Sequence, residues 1–123
     1  MQVNWVVIGA LGAALSIGLG AFGAHGLKAH LESEDLALWE TAARYLMYAS
    51  LGLTLMGVID RQWPGLIGPA AVLLASGATI FSLTVALLAL GGPRWLGAIT
   101  PLGGVLMIVA WLRFAWGALK SFN

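Results

Sequence analysis

Four long apolar runs separated by short polar breaks fill the chain, covering about 3–22, 36–59, 66–90 and 99–119. Each is close to the roughly 20 residues that a helix needs to cross a bilayer. In hydrocarbon every backbone N–H and C=O must find its partner within the protein, so runs of this kind must be helical. The expected fold is therefore all-α: one integral membrane bundle of four transmembrane helices in a single domain, 1–123. The breaks at 60–65 and 91–98 are short, which makes consecutive helices antiparallel neighbours.

The polar breaks carry the chemistry of helix ends. Ser33-Glu34-Asp35 precedes the second run, with Ser33 as N-cap and two acids suited to the positive end of the helix dipole. Arg61-Gln62-Trp63-Pro64-Gly65 and Gly91-Gly92-Pro93-Arg94-Trp95 read as turns with interfacial tryptophans. Thr100-Pro101 reads as the opening of the fourth helix, where the missing proline N–H costs nothing. The first run could pass for a secretory signal. It lacks a Lys/Arg start and is long for a signal's apolar stretch, so it is read as a retained first helix.

Composition agrees with this reading. The 123 residues are 60% hydrophobic and 9% charged, where a soluble domain carries about 25% charged residues. The net charge is +1 and no basic block is present, so nucleic acid is not an expected partner. The absence of cysteine excludes disulfides, thiolate metal sites and cysteine nucleophiles. Arg61, Arg113 and Lys120 fall on the side of the termini, and Lys28 and Arg94 opposite, with Arg44 inside the second run. The positive-inside rule then leans toward both termini in the cytoplasm.

Few residues could carry chemistry. Gly12, Ser16 and Gly20, continuing to Ala24, recur every fourth position in the first run, with Gly103 and Gly104 in the fourth. Small residues at this spacing let helices approach closely, either within the bundle or between copies. Glu40 and Arg44 sit at i, i+4 in the second run, the favourable order for a helical ion pair. They are expected to pair and fix packing; a polar site for a proton, ion or headgroup is the alternative. His25 and His30 lie among acids in the first break. Their i, i+5 spacing sets them about 140° apart on a helix, so neither metal nor any other cofactor is expected. Arg113 can snorkel to the interface. Thr79, Ser82 and Thr84 are expected to bond back to their own helix.

Several of these residues form an ordered pattern. Gly20-Ala-Phe-Gly-Ala-His25-Gly-Leu27, Trp39-Glu-Thr-Ala-Ala-Arg-Tyr45 with Tyr48, and Leu96-Gly-Ala-Ile-Thr-Pro-Leu-Gly-Gly104 with Trp111 resemble domain-of-unknown-function family 423, which includes the animal transmembrane protein 256. The resemblance spans essentially the full chain. It implies a small four-helix protein of the bacterial inner membrane with no assigned activity. His25, Glu40, Arg44, Tyr45 and Tyr48 are the positions where a polar or binding site would lie. The chain departs from the family at Ala49, where a histidine is usual, and at Leu83-Thr84-Val85-Ala86, where Gly-Ser and a tyrosine often occur. A shared His/Tyr site would be incomplete, which favours structural roles there. No catalytic constellation is present. The expected role is a non-enzymatic accessory, assembly or scaffolding component in the lipid bilayer, as a homo-oligomer or within a larger membrane complex. A small transporter or channel using Glu40 and Arg44 is the second reading, and a metal-dependent enzyme the third.

Overall fold

Apolar length decides the elements of the computed structural model, which describes residues 3–122. Four helices are long and apolar enough to span: α1 (Trp5–Phe22), α2 (Ser33–Gln62), α3 (Ala70–Ala89) and α4 (Leu96–Ser121). No strand occurs among the described residues. A π-helical turn, Gly23–Leu27, extends α1 toward α2. Among the described residues the most extensive packing joins consecutive helices: α1 to α2, α2 to α3 and α3 to α4.

Helix ends differ from the sequence reading in instructive ways. α2 has 30 residues, about 45 Å at 1.5 Å per residue, against a hydrocarbon core of roughly 30 Å. Its polar ends therefore stay helical through the headgroup layers. Ser33 is consequently the first helical residue, and Glu32 takes the cap position without a side-chain bond. α4 likewise begins at Leu96, so Pro101 stands one turn inside the helix. α3 starts later than its apolar run because Leu66 and Ile67, both buried, belong to the α2–α3 turn. That turn needs left-handed backbone at Gly65 and Gly68, with φ of +87° and +51°. α3 ends at Gly91, φ +90°, where Gly92 N–H bonds Leu87 C=O and Gly91 N–H bonds Leu88 C=O. This is the Schellman arrangement, which satisfies carbonyls left open at a helix end.

The core belongs to α2, α3 and α4. Ala49, Leu53 and Met56 meet Ala70, Ala71, Leu74 and Ala78, with Met107 and Ala110 from α4 and the turn residues Leu66 and Ile67. α3 and α4 touch backbone to backbone at Gly77 and Gly103, where a Cβ on Gly103 would lie 2.6 Å from Phe81 N. Beside that seam the Thr84 and Thr100 hydroxyls are 2.7 Å apart. At the other membrane face, Arg113 Nη1 donates to Leu66 C=O at 3.3 Å and holds the α2–α3 turn. Snorkelling alone does not describe it. The guanidinium is half-buried and finds a backbone acceptor within the protein.

α1 is attached differently. It meets α2 through Val6, Gly9, Gly12 and Ser16, with Gly23 of the π turn, while Leu11, Leu15 and Ile17 remain exposed. Close approach is what small residues provide where lipid removes the usual hydrophobic drive. Gly20 does not belong to this contact. No atom lies within 4 Å of where its Cβ would be. At that level the α2 partner is Trp39, whose indole reaches Gly23 and Leu19 and leaves Gly20 on the rim.

Candidate functional site

The first half of α2 carries the residues that sequence reading singled out, and the helix distributes them over different faces. Trp39 turns inward. It is 7% exposed, its Nε1–H donates to Leu19 C=O at 2.8 Å, and its ring meets Phe22 edge-on at 6.1 Å. Gly23, at the start of the π turn, is the notch that receives it. π turns are frequent at functional sites and at irregular packing. Here the notch admits a tryptophan ring. The sequence reading used Trp39 only as part of a motif and assigned it no role. A large indole one residue before Glu40, opposite a Gly-rich helix end, was the available signal.

Glu40 and Arg44 turn outward. Both are exposed, and no salt bridge forms among the described residues, so the expected ion pair is absent. The length of α2 explains how this is tolerated. That length brings its first turns toward the headgroups, and the long side chains of Glu40 and Arg44 can extend along the helix surface to water from there. Glu40→Gln should accordingly change unfolding stability in detergent by less than about 0.5 kcal/mol. A loss above about 2 kcal/mol in thermal or SDS unfolding would show a hidden partner.

His25 lies in the π turn and is exposed, as is His30. Among the described residues, no group of three or more His, Asp or Glu gathers in metal-binding geometry. The structure does not bring His25 together with Glu40 and Arg44 around a cavity, since none of the cavities below is lined by any of the three. Tyr45 and Tyr48 form a different group. Their rings are 5.3 Å apart, and Tyr45 lies 4.9 Å from Phe81. With Gly104, Met107 and Trp111 they line an aromatic groove of about 390 Å³. Gly104 thus borders a groove, and Gly103 alone of the pair makes the tight helix contact.

A second groove of about 390 Å³ lies on the other side of α2, between α1 and α3. Leu15 and Leu19 form one wall, and Ala78 to Leu90 of α3 the other. Trp39, Ala42, Ala43 and Leu46 form the floor. The two hydroxyls of its lining are committed: Ser82 Oγ donates to Ala42 C=O at 3.0 Å and Thr79 Oγ1 to Ala75 C=O at 2.8 Å, while Ser16 Oγ, in the α1–α2 contact, donates to Ala43 C=O. Ser82 therefore ties α3 to α2 rather than bonding within its own helix, whereas Thr79 and Thr84 do bond back to Ala75 and Ile80. A smaller, more polar hollow of about 200 Å³ lies between the start of α1 and Asp60 and Arg61.

Four spanning helices, charges spread over separate faces and apolar lateral grooves define a small polytopic membrane protein. The chain belongs to the family described as "Protein of unknown function (DUF423)", which matches residues 19–104. It is similar to the UPF0382 membrane protein of Staphylococcus saprophyticus, 43% identical over 116 residues, covering 94% of this chain and 97% of that one. The UPF0382 membrane protein of Staphylococcus haemolyticus is 44% identical over 116 residues, covering 94% and 95%. YwdK of Bacillus subtilis, another UPF0382 membrane protein, is 37% identical over 118 residues, covering 94% and 96%. No solved structure matches the chain. The family carries no assigned catalytic activity.

Proposed function

We propose that the protein is a non-enzymatic accessory or scaffolding component of the bacterial inner membrane, with both termini in the cytoplasm, and that it works as a homo-oligomer through α1. The observation that carries this reading is the one-sided attachment of α1. The Gly12/Ser16 stripe is already occupied by α2. Ala10, Ala14 and Gly18 form a second small-residue stripe on the opposite side, exposed and at four-residue spacing. Such a stripe is the pattern by which membrane helices associate. The separation of His25, Glu40 and Arg44 from the cavities supports a structural role over transport or catalysis.

The chain contains no cysteine, which makes the test direct. Ala14→Cys in native membranes should give a disulfide-linked dimer on mild oxidation, and Leu102→Cys on α4 should not. Adding Gly18→Leu should reduce the Ala14 cross-link at least about fivefold, since close approach fails. A monomer in mild detergent, with no Ala14 cross-link in membranes, would overturn the reading.

A further inference from the structure

The groove between α1 and α3 has a position as well as a shape. Its walls come from the second half of α1 and of α3, and its floor from the first half of α2. All three lie in the half of the membrane that faces the 28–32 and 90–95 turns. Along α3 it runs from Ala78 to Leu90, about 18 Å at 1.5 Å per residue. Half of the hydrocarbon core is about 15 Å. The groove therefore spans one leaflet, from the midplane to the headgroups.

Its lining is almost wholly apolar, and the hydroxyls of Thr79 and Ser82 are turned into backbone bonds. No directional polar group is left on the floor to recognise a polar solute. At about 390 Å³ it falls within the roughly 300–1,000 Å³ of small-molecule sites. The floor is deep because Ala42 and Ala43 are small. The charges at its headgroup end have both signs. Lys28 follows the π turn that ends the α1 wall, and Arg94 lies in the turn that ends the α3 wall, both exposed. Glu32, Glu34 and Asp35 stand at the start of α2, which supplies the floor.

We infer that this groove is a phospholipid site: one acyl chain lies between α1 and α3, and the mixed charges at its mouth face a headgroup carrying both phosphate and ammonium. The phosphate meets Lys28 and Arg94, and the ammonium meets the acids at the start of α2. This goes beyond the scaffold reading and does not depend on α1 self-association, because none of Ala10, Ala14 and Gly18 lines the groove.

The test is native mass spectrometry of the full chain in mild detergent, titrated with phosphatidylethanolamine or phosphatidylglycerol of equal chain length. One phosphatidylethanolamine should be retained per chain, at least about threefold in preference to phosphatidylglycerol. Ala86→Phe, which fills the groove from the α3 wall, should lower retention at least about tenfold. Thr79→Phe repeats the test from an exposed position at the deep end. Leu102→Phe, outside the groove, should leave retention unchanged, and circular dichroism confirms that each variant is folded. Equal retention by wild type and both groove variants would overturn the site, as would equal retention of the two lipids or a ladder of adducts without a preferred first one. Dissociation of a dimer by Ala86→Phe with lipid retention intact would identify the groove as a protein contact and would also overturn it. The Ala14 cross-link is read separately, so failure here leaves the scaffold reading standing or falling on its own.

Discussion

Trp39→Ala should release α1 from the rest of the protein. Removing a large buried aromatic from a packed interior costs about 3–5 kcal/mol, and Trp39 is the buried aromatic of α2 that holds the end of α1. The rest of the α1–α2 contact consists of Gly9, Gly12 and Ser16 against Ser50, Thr54 and Ala43, with Val6 against Gly57 at the start of α1, close contacts that include no other large buried ring. Truncation removes the ring from the Gly23 notch, its edge-on contact with Phe22 and the bond to Leu19 C=O. The three-helix core should survive, because its buried residues all come from α2, α3, α4 and the α2–α3 turn, and of α1 only Trp5 packs against it. A cysteine pair placed across α1 and α2 should therefore lose its cross-link while α2–α3 cross-links persist. Trp39→Phe separates the two components of the effect. It keeps most of the ring and loses the N–H donor, and interhelical bonds in membranes average only about 0.6 kcal/mol. A cross-link that persists unchanged in Trp39→Ala would show that the glycine contact suffices without the indole.

The second large effect is expected at the α3–α4 seam. Gly103→Leu should prevent α4 from docking, with a loss of about 3 kcal/mol or more, since overpacking costs about 1–3 kcal/mol even where side chains can move. Here they cannot. The atoms nearest a Cβ on Gly103 are Phe81 N and Gly77 O, both backbone. Even Gly103→Ala places a methyl 2.6 Å from Phe81 N, so the helices must separate. Separation also opens the Thr84–Thr100 contact. The neighbouring Gly104→Ala is the control: its Cβ would meet only Phe81 Cδ2 at 4.0 Å, ordinary contact distance, and should be nearly neutral. SDS-unfolding midpoints in one detergent measure all three variants. Equal midpoints for Gly103→Leu and wild type would mean that the seam is looser than the structure has it.

Two adjacent glycines with opposite expected outcomes illustrate where sequence reading stops. The small-residue pattern marked both Gly103 and Gly104, because spacing along one helix does not say where the neighbour's backbone lies. The same holds on α1. Gly12, Ser16 and Gly20 share a four-residue spacing, yet only the first two meet α2, since Trp39 occupies the space at the level of Gly20. Glu40 and Arg44 show a further limit. Their spacing permits an ion pair, but both side chains are exposed and long enough to reach toward water instead, and the pair does not form.

What the sequence determined by itself was the number of spans, their helical form and their antiparallel order. These follow from local properties: apolar length against bilayer thickness, backbone bonding in hydrocarbon, and turns too short for any other connection. Helix ends were legible where one residue controls them, as at Gly91, and were misplaced where the helix starts before its apolar run, as at Ser33 and Leu96. Tertiary structure alone decided that α1 meets α2 through one face, that Trp39 closes that contact at a π turn, and that Arg113 holds the Leu66 carbonyl. It also decided that two apolar grooves flank α2. Each of these depends on the separation and rotation of two helices, which arise from the shapes of both faces at once and which no single run of residues encodes.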